Sequence, residues 1–135
     1  MYRSQREDHM LVKSCVMLPL ILSAFERDAQ LIATHLRTPA PYLDMLQAAA
    51  RLATCDLRDV RSEMRRRGVK IYEQRRRPDG IEAKYVCHGF HETMLLLNDI
   101  IAAQAAIHMR KYLGLDISAY QSYEDQYQLG VRHSH

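Results

Sequence analysis

Tryptophan is absent from this 135-residue chain, and phenylalanine occurs only twice. Large aromatics are therefore a small part of the apolar content, and Phe25 is the phenylalanine on the apolar stripe of the first expected helix. Five glycines, Gly68, Gly80, Gly89, Gly114 and Gly130, stand singly, so no glycine-rich loop is available to cradle a phosphate. Three cysteines, Cys15, Cys55 and Cys87, are far apart and form no CxxC; an odd count is a poor disulfide framework, and a reducing cytoplasm is the expected compartment. No G-x-S-x-G elbow and no HExxH occur, which removes two common hydrolase signatures. Lysine is scarce, at 4 against 15 arginines, and guanidinium suits phosphate and carboxylate forks better than ammonium does. The longest apolar run, "CVMLPLILSAF" at 15–25, is too short for a membrane span and holds a proline. It has the length of a signal-peptide core. Yet Glu7 and Asp8 dilute the positive start ahead of it, and helical spacing continues past it through Ala29, Ile32 and Leu36. A buried helix is expected there, and no membrane partner.

What is present fits one ordinary globular domain. Apolar and charged fractions of 47% and 26% are typical, and this length buries enough surface to need no metal or disulfide staple. The net charge of +3 is unevenly spread. Residues 61–77 carry Arg61, Arg65, Arg66, Arg67, Lys70, Arg75, Arg76 and Arg77 against Glu63 and Glu73. That is +6 locally and −3 elsewhere. Such a field favours polyanions or an acidic protein surface.

Residues 1–9 are polar and expected to fray. A first helix is expected from Leu11 or Met17 to Leu36, with Pro19 in its first turn or kinking it. After "RTPAPYLD", the stripe Leu43, Leu46, Ala50, Ala53, Leu57, Val60, Met64 predicts one long helix over 41–67. Arg65, Arg66 and Arg67 lie at its negative end, and Gly68 suits the left-handed position past it.

"GVKIYEQRRRPDGIEAKYVC", 68–87, alternates and carries β-formers around a Pro-Asp-Gly turn. This predicts a hairpin with Arg77 opposite Ile81, Arg75 opposite Ala83, Ile71 opposite Cys87, and Gly80 at positive φ. A third helix, 91–113, is expected to show the stripe Leu96, Ile100, Ala103, Ile107 to a second copy of the chain. Residues 114–135 form a polar tail, mobile or docked, with Tyr120, Tyr123 and Tyr127 at helical spacing. The expected class is α+β, mainly helical, one domain at 1–113 in the order α-α-β-β-α.

One dense cluster of ligand-type residues exists. Cys87, His88, His91 and Glu92 meet at the end of the hairpin, and zinc accepts thiolate, imidazole and carboxylate. Cys87 beside His88 or His91 is also the one cysteine with a possible activating partner. His35, at a helix end, suits the dipole there, and His108 on an apolar stripe suits a core or interface position. Order and charge of the basic segment resemble a recognition helix and wing, and phosphate contact needs only clustered arginines. The expected function is that of a small non-enzymatic regulatory protein binding DNA or RNA through Arg61, Arg65, Arg66, Arg67, Lys70, Arg75, Arg76 and Arg77. The alternative is a homodimeric assembly protein whose basic hairpin docks on an acidic protein.

Overall fold

A computed structural model describes residues 2–120, with side chains from residue 5 onward. Two long helices, α1 (Tyr2–His35) and α2 (Ala40–Arg67), pack along one another as a helical hairpin. Three antiparallel strands follow in the order β1 (Val69–Arg77), β2 (Gly80–Cys87), β3 (Phe90–Leu97). They lead to α3 (Asn98–Tyr112) and a 3-10 turn, Ser118–Tyr120. The class is α+β, with the long central helix and the basic hairpin that the sequence predicts. A third strand makes the order α-α-β-β-β-α.

α2 begins with proline in its first turn and ends at Gly68, whose φ of 70° lets its N–H turn back to the Arg65 carbonyl. Its stripe of Ala49, Ala53, Leu57 and Met64 is buried. α1 starts earlier than expected. Residues 2–9 are helical rather than frayed, because Asp8 and His9 are buried against the sheet, where each finds a hydrogen-bond partner. Pro19 lies mid-helix and leaves the Cys15 carbonyl without its usual donor. An interior proline costs about 3 kcal/mol, and the burial of Val16, Met17, Leu18 and Ile21 around it offsets that cost. The 15–25 run is therefore core. The segment Gln5–His35 is long and apolar enough to cross a membrane by length and composition, with half of its most apolar stretch buried inside the fold.

The hairpin register differs from the expected one. Arg77 pairs with Gly80, Arg76 with Ile81, Arg75 with Glu82 and Ile71 with Tyr85, and the irregularity falls between Ile71 and Glu73 rather than at the turn. The turn is tighter because Pro78 and Asp79 alone close it, and the β3–α3 junction grips it. The Asn98 N–H donates to the Asp79 carbonyl and the Asn98 side-chain amide to that of Pro78. Gly80 is not at positive φ. It is required by close approach, since a Cβ there would lie 2.1 Å from the Leu96 carbonyl oxygen.

The largest departure is β3, which occupies the first part of the expected third helix. His88 at φ 53° and Gly89 at φ 82° make a two-residue turn with both central residues left-handed, which sends the chain straight back along β2. The sheet lays Ile81, Ala83, Tyr85, Cys87, Met94 and Leu96 on the helices. A second cluster joins Leu18, Ile21 and Phe25 to Ala49, Ala53, Leu57 and Tyr112. The expected α3 interface stripe is corrected: Leu96 is in β3, and Leu96 and Ile107 are 1% and 2% exposed within one chain. Past Gly114, the Leu115 N–H returns to the Arg110 carbonyl and the Arg110 guanidinium lies 5.0 Å from the Tyr120 ring centroid. This much of the expected tail is docked; Tyr123 and Tyr127 lie outside the described residues.

Candidate functional site

The predicted basic residues divide into two groups. Arg67, at the end of α2, is an internal clamp. Its guanidinium donates to Glu7 at 2.6 Å, Asp8 at 3.2 Å and Glu63 at 2.7 Å, joining the start of α1 to the end of α2. Arg66 forks onto the same Glu63 carboxylate. These two guanidiniums hold the Glu63 carboxyl down at about 2. At the hairpin, Arg75 and Arg77 share Glu82 at 3.3 and 3.4 Å, and Arg77 also meets Asp79 at 3.3 Å. Strand alternation sends Arg76 to the other face.

Arg61, Arg65, Lys70 and Arg76 are exposed, and no described acid pairs with them. Arg61 and Arg65 belong to a longer line. Arg51, Arg58 and Arg65 recur every seven residues on the face of α2 opposite its buried stripe, with Arg61 beside them, all exposed. The line from Arg51 to Arg65 is about 21 Å long at 1.5 Å per residue. Asp56 and Asp59 line the cavity between the helices, and Glu63 is held by the arginine clamp, so no described acid lies in line between Arg51 and Arg65; Asp44 is the next one along it. The 61–77 charge count misses Arg51 and Arg58. Their seven-residue spacing to Arg65 was the signal.

The predicted ligand cluster also divides. Cys87 and His88 meet at Asp8, which sequence reasoning placed in a frayed end. The Cys87 thiol donates to Asp8 Oδ2 at 2.9 Å, and His88 Nε2 lies 3.0 Å from the same oxygen. Arg67 takes Oδ1. His91 is on the outer face of β3, where Nδ1 meets the Tyr72 hydroxyl at 3.1 Å. Glu92 pairs with Tyr85 in the register and helps to raise the Tyr85 phenol and the Cys87 thiol. Burial first, then the Asp8 carboxylate, pushes the thiol up to about 12. A thiol so held stays protonated and is a poor nucleophile.

A cavity of about 260 Å³ opens between the three helices, lined by Lys13, Asp56, Asp59, His108, Lys111 and Tyr112 among others. The Tyr112 hydroxyl donates to Asp56 at 2.7 Å, and burial with that carboxylate raises the phenol. Two acids against two lysines leave this cavity without a charge preference. His108 is half-buried on its wall, and His35 closes α1 as expected.

No solved structure matches the chain. The protein named "Uncharacterized protein YhjD" from Bacillus subtilis (strain 168) is 28% identical over 110 residues, covering 81% of this chain and 92% of that protein. The family profile described as YhjD protein matches residues 3–117, and the chain belongs to the YhjD family.

Proposed function

We propose that this is a small, non-enzymatic regulatory protein of the cytoplasm that binds nucleic acid along its phosphate backbone. The contact surface is the outer face of α2, carried by Arg51, Arg58, Arg61 and Arg65, and the exposed Lys70 and Arg76 of β1 add to the basic charge. The observation that carries the reading is the acid-free line of exposed arginines on one rigid helix. Arg66, Arg67, Arg75 and Arg77 contribute less, because carboxylates already hold them. A straight basic face without a helix–turn–helix supports backbone contact rather than base reading.

The test is a titration of duplex DNA and of RNA at two salt concentrations. Changing Arg51, Arg58, Arg61 and Arg65 to glutamine should weaken binding to every duplex sequence alike. It should lower the log–log salt slope by up to roughly 3.6, at about 0.9 per phosphate contact on B-DNA. Changing Arg75 and Arg77 to glutamine should alter the slope by less than about 1. Equal effects of the two variants, or no binding by the unaltered protein at low salt, would reject the reading.

A second reading rests on a separate observation. No residue from 26 to 48 is buried, although Leu31, Leu36, Tyr42 and Met45 lie there. An apolar helical tip supports a homodimeric assembly protein. An acidic partner docking on the hairpin has less support, because Glu82 and Asp79 already occupy Arg75 and Arg77.

A further inference from the structure

We propose that Asp8, Cys87 and His88 form a binding site for a divalent metal ion of the zinc type, with Oδ2, Sγ and Nε2 as donors. The three residues come from two distant parts of the chain. Asp8 is on the first turns of α1, and Cys87 and His88 are at the end of β2 and in the turn after it. Their ligand atoms nevertheless lie within 4.8 Å of one another. Zinc takes oxygen and nitrogen donors at about 2.0–2.2 Å and sulfur at about 2.3 Å, so tetrahedral neighbours sit roughly 3.3–3.8 Å apart. The present separations of 2.9 and 3.0 Å must open by less than about 1 Å.

Three further features fit an ion. Asp8 is 1% exposed, and Arg67 holds its second oxygen, so the donor oxygen is oriented before any ion arrives. The His88 side chain is 51% exposed, which leaves an entry path and room for a water as fourth ligand. The charge around Asp8 is compensated: among the described residues Arg67 is the arginine that touches it, and Glu7 and Glu63 share that guanidinium. On binding, the Cys87 S–H proton passes to solvent as the metal–sulfur bond forms; the proton that His88 Nε2 shares with Asp8 also leaves to water, the neutral ring carrying its proton on Nδ1, so that the Nε2 lone pair bonds the ion.

The site is separate from the arginine face of α2, so either proposal can fail alone. The test uses the full-length protein, stripped with chelator and titrated with cobalt(II), then with zinc(II) in competition. The expected result is one equivalent of cobalt, with ligand-field bands in the visible and a thiolate-to-cobalt band in the near ultraviolet. Cys87→Ser should abolish the thiolate band. His88→Asn, which keeps a residue that tolerates the left-handed turn, should weaken binding by about a hundredfold or more, beyond what loss of an outer-shell partner costs. His91→Asn should change neither. No saturable binding by the folded wild type overturns the proposal. So does a thiolate band that survives Cys87→Ser, or binding lost instead on replacing His133 and His135.

Discussion

Gln104 is the side chain in this fold with the least evident reason to be where it is. It is fully buried on α3, and neither its amide nitrogen nor its oxygen has a hydrogen-bond partner among the described residues. A buried polar group left unpaired costs about 1–3 kcal/mol. Methionine has nearly the same length and no strong polar atoms. Gln104→Met should therefore raise stability by about 1–3 kcal/mol, read as a higher urea midpoint at unchanged slope. A lower midpoint would mean that the amide has a partner worth more than its desolvation, such as a buried water.

At the scale of elements, α2 was legible because its stripe holds the alternating three-four spacing for six steps and Gly68 marks its end. β3 was not legible. "MLLL" at 94–97 runs straight into an apolar helix, and a short apolar run does not separate strand from helix by period alone. The signal was one residue pair: His88-Gly89 can take two left-handed positions in succession, since histidine is among the residues that tolerate them. Without β3, Glu92 and His91 looked like neighbours of one corner, whereas strand alternation puts them on opposite faces. Asp8 escaped for a different reason. Its partners are 59 to 80 residues away, and no local pattern announces them.

The clamp around Arg67 carries a pH signature for the same elements. The Glu63 carboxyl is lowered from 4.5 to about 2 by its hydrogen bonds to Arg66 and Arg67. A depressed carboxyl binds protons less readily in the folded chain than in the unfolded one. Its contribution is therefore fully present above 4.5 and is lost as pH falls towards 2. Urea midpoints measured down this range should fall more steeply for the wild type than for Glu63→Gln. Parallel profiles would show that Glu63 does not hold the end of α2 in solution.

At the scale of the molecule, the fold is unevenly supported. The sheet and α3 cover the end of the helical hairpin where α1 begins and α2 ends. The other end, from about Phe25 round to Ala49, consists of two helices and their turn. Its apolar residues Leu31, Leu36, Tyr42 and Met45 are 40–53% exposed, and Leu52 follows on α2 at 55%. Two helices alone bury too little to hold an apolar seam in water, and helical stability comes mainly from tertiary packing. Leu46 packs within the chain, while Tyr42, Met45 and Leu52 stay exposed on the same helix, so a matching helical pair would complete a four-helix bundle. We expect a second copy to supply that pair through a two-fold axis, each tip facing the other. Leu52 and Arg58 are roughly 120° apart around α2, so pairing of the tips leaves both arginine lines open. The expected outcome is a dimer in sedimentation equilibrium, with a dissociation constant of about 1 μM or below, equivalent to roughly −8 kcal/mol. Met45→Glu combined with Leu52→Glu should weaken it more than tenfold. Each monomer should remain folded, because exposed substitutions usually change stability by about 0.5 kcal/mol or less. A wild-type monomer at about a hundred times that concentration would rule out the bundle. A dimer indifferent to the two glutamates would place the interface outside the tip.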